Sequence, residues 1–234
     1  MKATQHTRLY AANLVLANVR ALVIGGGEVA LRKTRSLLDA RADVTVVAPE
    51  FHASFAPLRK AGKLRLRRRA FRAADLRSAR VVFAATHDPA LNARIAKAAQ
   101  KKGLLVNVAA PPEAGNFQVP ASIRRGRVSI AVSTGGTSAA LARALREHIE
   151  KSVGAEWEAL AGLLEARRAR LLKKMSDAGA RHGLLCELGS ARWARLIKQR
   201  GAKAAARKMD ARIAAALKAG SRNGAGRAHT RKRT

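Results

Sequence analysis

The chain has 234 residues, enough for one large domain or two small ones with a real core. Hydrophobic residues make up 48% and aromatics only 3%, so the bulk is expected to be globular around an aliphatic, alanine-rich core. The one cysteine, Cys186, excludes an intramolecular disulfide and a cysteine-built zinc or iron–sulfur site, and the formal net charge of +32 sets the chain apart from an ordinary neutral globule.

That charge predicts attraction to polyanions: nucleic acid, an acidic membrane, or a small substrate with many carboxylates. It is not confined to one end. "RKAGKLRLRRRAFR" (59–72) falls inside the expected fold, and "SRNGAGRAHTRKRT" (221–234) is an acid-free end expected to be disordered. A generally arginine- and alanine-rich composition is the other reading, because net charge sets solubility without setting fold. No stretch reads as a membrane span: Asn13, Asn18 and Arg20 interrupt the N-terminal apolar run, and a span needs about 20 apolar residues. No clear signal-peptide cleavage site follows, and the lone cysteine fits a reducing cytoplasm.

Val19 to Ile24 is a short apolar run ending in glycines, which predicts a buried strand. From Glu28 to Ala40 apolar residues recur at helical spacing, and Val44 to Ala48 is a second β-rich run closed by Pro49. Strand, helix and strand within about 30 residues predict a βαβ unit with parallel strands. Ala53 to Ala61 can be helical with a break near Pro57. Lys63 to Arg69 alternates leucines with basic residues, as a charge-protected edge strand does. "ARVVFAAT" (79–86) predicts another buried strand. "DPALNARIAKAAQKKG" (88–103) predicts a helix with Asp88 as N-cap, Pro89 first and Gly103 as the stop. "LLVNVA" closes a five-strand set. The alternation predicts an open, doubly wound α/β sheet of Rossmann type.

After Pro112 the pattern changes. "NFQVPASIRRGRVSIAVST" predicts two short strands around an Arg-Arg-Gly turn, and "GGTSAALARALREHIEKSV" a long amphipathic helix. Beyond Gly154 the chain reads as helical, with Trp157, Leu160, Leu164, Leu171 and Met175 on one face. The expected organisation is a dinucleotide-binding domain over 1–112, a small α/β segment over 113–153, a helical domain over 154–218 and a disordered basic tail over 219–234.

"GGGEVA" (25–30) matches G-x-G-x-x-G/A between a strand and a helix. Gly25 permits the turn, Gly27 lets backbone approach a pyrophosphate, and Ala30 allows close helix packing. The N–H groups near Glu28 and Val29 open the helix, where an anion is favoured. Glu50, just past Pro49, is the candidate acid for an adenosine ribose; the alternative is a solvated loop acid. No arginine stands beside it in sequence, although Arg41 is not far away, so NAD is expected over NADP. "STGGTS" (133–138) either presents N–H groups to a carboxylate or caps a helix through Thr137 or Ser138. His148 and His182 read as ordinary helix residues, Cys186 as packing, and His87 as a site candidate past a strand end. No metal-ligand spacing occurs.

These motifs together resemble the siroheme synthase N-terminal module: "LVIGGGEVALRKTRSLL", "VTVVAPEF", "FAATHDPALNARIAKAA" and "VNVAAPPEAGNFQVPASIRRGRVSIAVSTGGTSAALARALREHIE" run in its order from about residue 8 to 152. That family is the NAD-dependent precorrin-2 dehydrogenase, often also a sirohydrochlorin ferrochelatase. The resemblance implies the stand-alone form: an NAD-binding Rossmann domain, a central segment that builds a homodimer, and a helical C-terminal domain. It implies hydride transfer from precorrin-2 to NAD⁺, giving sirohydrochlorin, with Fe²⁺ as a further substrate in bifunctional members. It places nucleotide contacts at Gly25, Gly27, Glu28, Val29, Pro49 and Glu50, and Thr86 and Val108 beside the nicotinamide. The substrate carries eight carboxylates, for which Arg124, Arg125, Arg127 and Thr134 are candidate partners.

The departures bear on the chemistry. The family reads Asn-Val-x-Asp, and that Asp is its general base and possible metal contact. Here the run is Asn107, Val108, Ala109, Ala110. A methyl group takes no proton and binds no iron, which leaves Glu113 and His87 as substitutes. His87-Asp88 replaces the usual Asp-Asp, and Ala139 a usual Pro. Hydride transfer is expected to survive, with the chelatase weakened or absent. The alternatives are an impaired paralogue that binds NAD or tetrapyrrole, and a basic protein that holds nucleic acid non-specifically through its tail and the 59–72 face.

Overall fold

The computed structural model describes residues 9–60 and 64–230. They divide into two units, the first made of residues up to Pro120 together with Ser133–Ala139, the second of Ala121–Val132 and the residues from Ala140 onward.

The first unit is built on five parallel strands: β1 (Arg20–Ile24), β2 (Asp43–Ala48), β3 (Leu64–Arg68), β4 (Val81–Ala84) and β5 (Leu105–Val108). Their order is β3-β2-β1-β4-β5, the expected doubly wound arrangement. The apolar runs are buried on both faces, as parallel strands require. Val23, Val44, Val46 and Val81 are covered by α1 (Glu28–Asp39) and α2 (Phe55–Lys60). Leu22, Val47, Val82 and Val106 pack with α3 (Pro89–Gln100) on the other side. β3 is an edge strand, as its alternating arginines predict.

Helix ends follow local chemistry. Asp88 caps α3 by accepting from the N–H groups of Ala90 (2.8 Å) and Leu91 (3.1 Å), and Gly103 leaves the helix with φ +66°. α1 ends in a Schellman pattern: Ala42 N–H reaches Leu37 O and Arg41 N–H reaches Leu38 O. That puts Arg41, not glycine, at φ +60°. Pro57 does not break its helix as expected. It lies in the first turn of α2, where no intrahelical N–H is needed.

In the second unit β6 (Ala121–Arg125) and β7 (Val128–Val132) pair antiparallel, with Gly126 at φ +55° in the turn. α4 (Ala139–Ser152) begins at the junction, and α5 (Ala155–Lys174), α6 (Ala178–Leu188) and α7 (Ala191–Thr230) follow. Leu160, Leu171 and Met175 are buried with Leu188, Trp193 and Met209, and Trp157 and Leu164 pack against them. Met175 ends α5 in an extended conformation rather than continuing it. Arg167 ties α5 to α7 through Asp210 (2.8 Å). α7 is interrupted at Gly201, φ +80°. Its bounds run to Thr230, into the stretch expected to be disordered, and the last four residues of the tail lie outside the described residues.

Candidate active site

In this sheet the order in which strands are added reverses between β1 and β4, and ligands collect at the carboxyl ends there. The three glycines after β1 divide the work. Gly25 has φ +122°, and a side chain would overlap the Ala85 carbonyl. A side chain at Gly26 would overlap the carbonyl of Glu50, and Gly26 O in turn accepts His52 N–H at 2.8 Å. Gly27 is different: nothing lies within 4 Å of where its Cβ would be.

Gly27 is also the N-cap of α1, and no side chain caps that helix. α3 has its donors covered by Asp88; α1 does not. An N-terminus with open space before it and no internal acceptor is a ready anion site. Ala30 is fully buried, as close packing of α1 on the sheet demands. Glu28 and Val29 are exposed in the first turn, and Pro49 and Glu50 are exposed just past β2. Arg41 precedes β2 while Glu50 follows it. A six-residue strand of about 20 Å separates them, so Arg41 belongs to the wrong end of the sheet.

At the ends of β4 and β5 one buried side chain organises the backbone. Asn92, with no exposed surface, accepts from Thr86 N–H (3.1 Å) and from the Thr86 hydroxyl (2.8 Å). Its amide donates to Thr86 O (3.1 Å) and to Ala110 O (3.0 Å). The Thr86 hydroxyl is therefore already engaged within the chain. Asn107 donates to Phe117 O (3.1 Å), and Asn116 takes Val106 N–H (2.7 Å) and donates to Leu104 O (2.9 Å). Val108 turns its side chain into the core, leaving only backbone to face a ligand.

Ala110 is exposed two residues past β5, and His87 is exposed three past β4, its neighbour in the sheet. Glu113 is exposed in the short 3₁₀ turn Pro112–Ala114, which Gln100 fastens through Ala114 O (2.8 Å). Lys33 of α1 lies 5.9 Å from the centre of the Phe83 ring, and burial, with Arg32 adding repulsion, lowers its pKa.

The remaining candidates are placed as follows. Thr134 accepts Ser138 N–H (3.3 Å) and donates to Ser138 O (3.0 Å), closing a turn whose Gly135 and Gly136 have positive φ. Arg125 bonds Glu150 (3.1 Å) and Arg127 bonds Glu165 (2.7 Å); Arg124 is exposed and makes no ion pair among the described residues. His148 is exposed on α4, and His182 stands 3.5 Å from the exposed Cys186 thiol. No cluster of three metal-ligating side chains occurs among the described residues, and none of their helices is long and apolar enough to cross a membrane.

Sequence reasoning missed Asn92 and Asn116. Asn92 had a signal: it shares the stripe of Ile95, Ala96 and Ala99, so a polar residue was due to be buried there. Asn116, in a loop, had none.

Residues 12–121 match the family model described as NAD(P)-binding, and 125–152 match the sirohaem biosynthesis protein central model. The siroheme synthase of Methylococcus capsulatus is 43% identical over 168 residues, and that of Pseudomonas entomophila 40% over 164. These matches take in 72% and 70% of the chain but 35% of each relative, so the chain spans about a third of their length. The solved structure of SirC, precorrin-2 dehydrogenase, superposes with a TM-score of 0.71 at 31% identity, covering 86% of this chain and all of that one. The chain belongs to the precorrin-2 dehydrogenase family. Its Rossmann-like sheet and helical C-terminal region are those of the precorrin-2 dehydrogenase fold, and the glycine loop at the switch point lies within the NAD(P)-binding match.

Proposed function

We propose that the chain oxidises precorrin-2 to sirohydrochlorin with NAD⁺, as a homodimer in a reducing cytoplasm, and that it inserts iron weakly or not at all. The observation that carries this is the uncapped, open start of α1 at Gly27, in a chain alignable with the whole of a precorrin-2 dehydrogenase.

A dinucleotide fits the residues present. The backbone at Gly25, Gly27, Glu28 and Val29 would hold the pyrophosphate, Glu50 beside Pro49 the adenosine ribose, and the backbone at Thr86 and Val108 the nicotinamide side. The bound nicotinamide supplies the hydride acceptor. Asn92 keeps the Thr86 and Ala110 backbones in register by bonding both. The oxidation also releases one proton, which Ala110 cannot take; His87, Glu113 or water must. Iron insertion must remove pyrrole protons too, and it loses a carboxylate here, so that step suffers more. Loss of a general base typically costs about 10²–10⁴-fold.

Arg124, Arg125, Arg127 and Thr134 are offered to substrate carboxylates. A guanidinium has five donors, so Arg125 and Arg127 can keep their glutamates and still bind an anion. The dimer reading draws on α4, which buries only Ala142 while Leu145 is 41% exposed, and on a two-stranded sheet that needs cover.

The test is an anaerobic assay with precorrin-2 and NAD⁺, following NADH and the sirohydrochlorin spectrum, then adding Fe²⁺. NADH should form, and siroheme should appear at most slightly faster than in a protein-free control. Ala110→Asp should accelerate iron insertion and leave NAD⁺ binding unchanged. Intact NAD⁺ binding without NADH formation would instead make this a binding protein on the family's frame.

A further inference from the structure

Four arginines lie on or just past strand β3, and three are committed. Arg65 bonds Asp43 (3.1 Å), Arg67 bonds Asp75 (3.2 Å), and Arg69 bonds Asp75 (2.9 Å). Arg68 is the exception. Among the described residues it makes no ion pair and no hydrogen bond, and its guanidinium lies 5.6 Å from the centre of the Phe51 ring. The register pairs Arg68 with Ala48, the last residue of β2, and Arg69 N–H bonds Ala48 O at 3.0 Å. Glu50 follows two residues after Ala48, and Phe51 is next. An exposed, uncommitted cation therefore stands beside the strand end that carries the ribose acid.

We propose that Arg68 determines cofactor specificity, by binding a 2′-phosphate on the adenosine ribose, so that the site accepts NADP⁺ as well as NAD⁺. This rests on the dinucleotide reading of the glycine loop. Glu50 serves the free ribose hydroxyls. Arg68 offsets its charge when a phosphate replaces one of them, and the Phe51 ring holds the guanidinium plane without using up its donors. The planar fork of an arginine suits a phosphate better than a lysine does.

Isothermal titration with NAD⁺ and with NADP⁺ tests this on the full chain. The unaltered protein should bind both, with affinities within about tenfold of each other. Arg68→Ala should weaken NADP⁺ by about tenfold, the effect of one hydrogen-bonded charge, and NAD⁺ by less than about threefold. Arg68→Lys should recover part of the NADP⁺ loss. Because Arg68 is exposed, an unchanged melting curve is expected to accompany these shifts. NAD⁺ binding with no detectable NADP⁺ binding would overturn the proposal and leave the dinucleotide reading intact. An equal loss of both cofactors in Arg68→Ala would also overturn it, pointing to adenine stacking instead. Failure of the folded protein to bind either would overturn both readings.

Discussion

At the scale of single residues, the glycine loop separates folding from binding. Gly25 and Gly26 face protein: each Cβ would meet a backbone carbonyl, of Ala85 and of Glu50, and Gly25 also needs positive φ. Gly27 faces nothing and has φ −82°, which alanine adopts without strain. Gly25→Ala and Gly26→Ala should therefore destabilise the fold by about 2 kcal/mol or more, the range of backbone strain plus overpacking. Gly27→Ala should shift stability by no more than about 0.5 kcal/mol, as at an exposed site, yet weaken NAD⁺ at least tenfold. Urea melts and titration of the three variants check the split. A Gly27→Ala protein that binds NAD⁺ normally would remove the pyrophosphate from this turn. The motif predicted Gly25 and Gly27 from spacing alone. It said nothing of Gly26, whose neighbour Glu50 is brought up by β2, and spacing along one chain segment does not show that contact.

At the scale of elements, the crossover from β3 to β4 is fastened by one acid. Asp75 has a side chain 3% exposed and takes bonds from Arg69 (2.9 Å), Arg67 (3.2 Å) and Arg72 N–H (2.9 Å). The Arg69 hydrogen bonds, more than any other cause, hold its pKa below the ordinary 3.8, against burial. A depressed carboxyl pKa gives stability that is complete above the unfolded value and is lost as pH falls through the folded one. The unaltered protein should lose this contribution below about pH 4, and Asp75→Asn should lack that part of the acid dependence. At pH 7 the substitution should cost about 2 kcal/mol, less than for a fully buried pair because Arg67 and Arg69 keep contact with water. Urea midpoints at pH 7, 4 and 3 check both; parallel pH curves for the two proteins would refute the account. The alternation of strands and helices, the Asp88 cap and the Gly103 stop were legible because period and capping are local signals. The partners of Asp75 and the freedom of Arg68 were not. Within "RLRRR" four arginines look alike until the pleat assigns them to faces and the crossover supplies an acid to one face only.

At the scale of the whole molecule, the charge is a property of the chain and not of its end. Fifteen acids face 47 lysines and arginines, so even complete pairing leaves an excess of 32 positive charges. Only five of the 47 lie beyond residue 220. The ion pairs at Asp43, Asp75, Glu147, Glu150, Asp210 and Glu187 are local and leave that excess in place. Duplex DNA should therefore be retained without sequence preference, and the logarithm of affinity should fall linearly with the logarithm of salt, by about 0.9 per phosphate neutralised. Removing residues 221–234 should lower that slope by at most about 4.5, the share of five cations, and leave measurable binding at low salt. Filter retention of unrelated duplexes across a salt series, with the full chain and the shortened one, reads both quantities. Binding that vanishes with the tail would put the polyanion surface there alone. Binding that ignores salt would mean base contacts, for which the fold supplies no helix-turn-helix and no aromatic stacking platform among its described residues. With the expected result, the same unneutralised field would also draw the many-carboxylate substrate of the proposed reaction, and both attractions should weaken together as salt is raised.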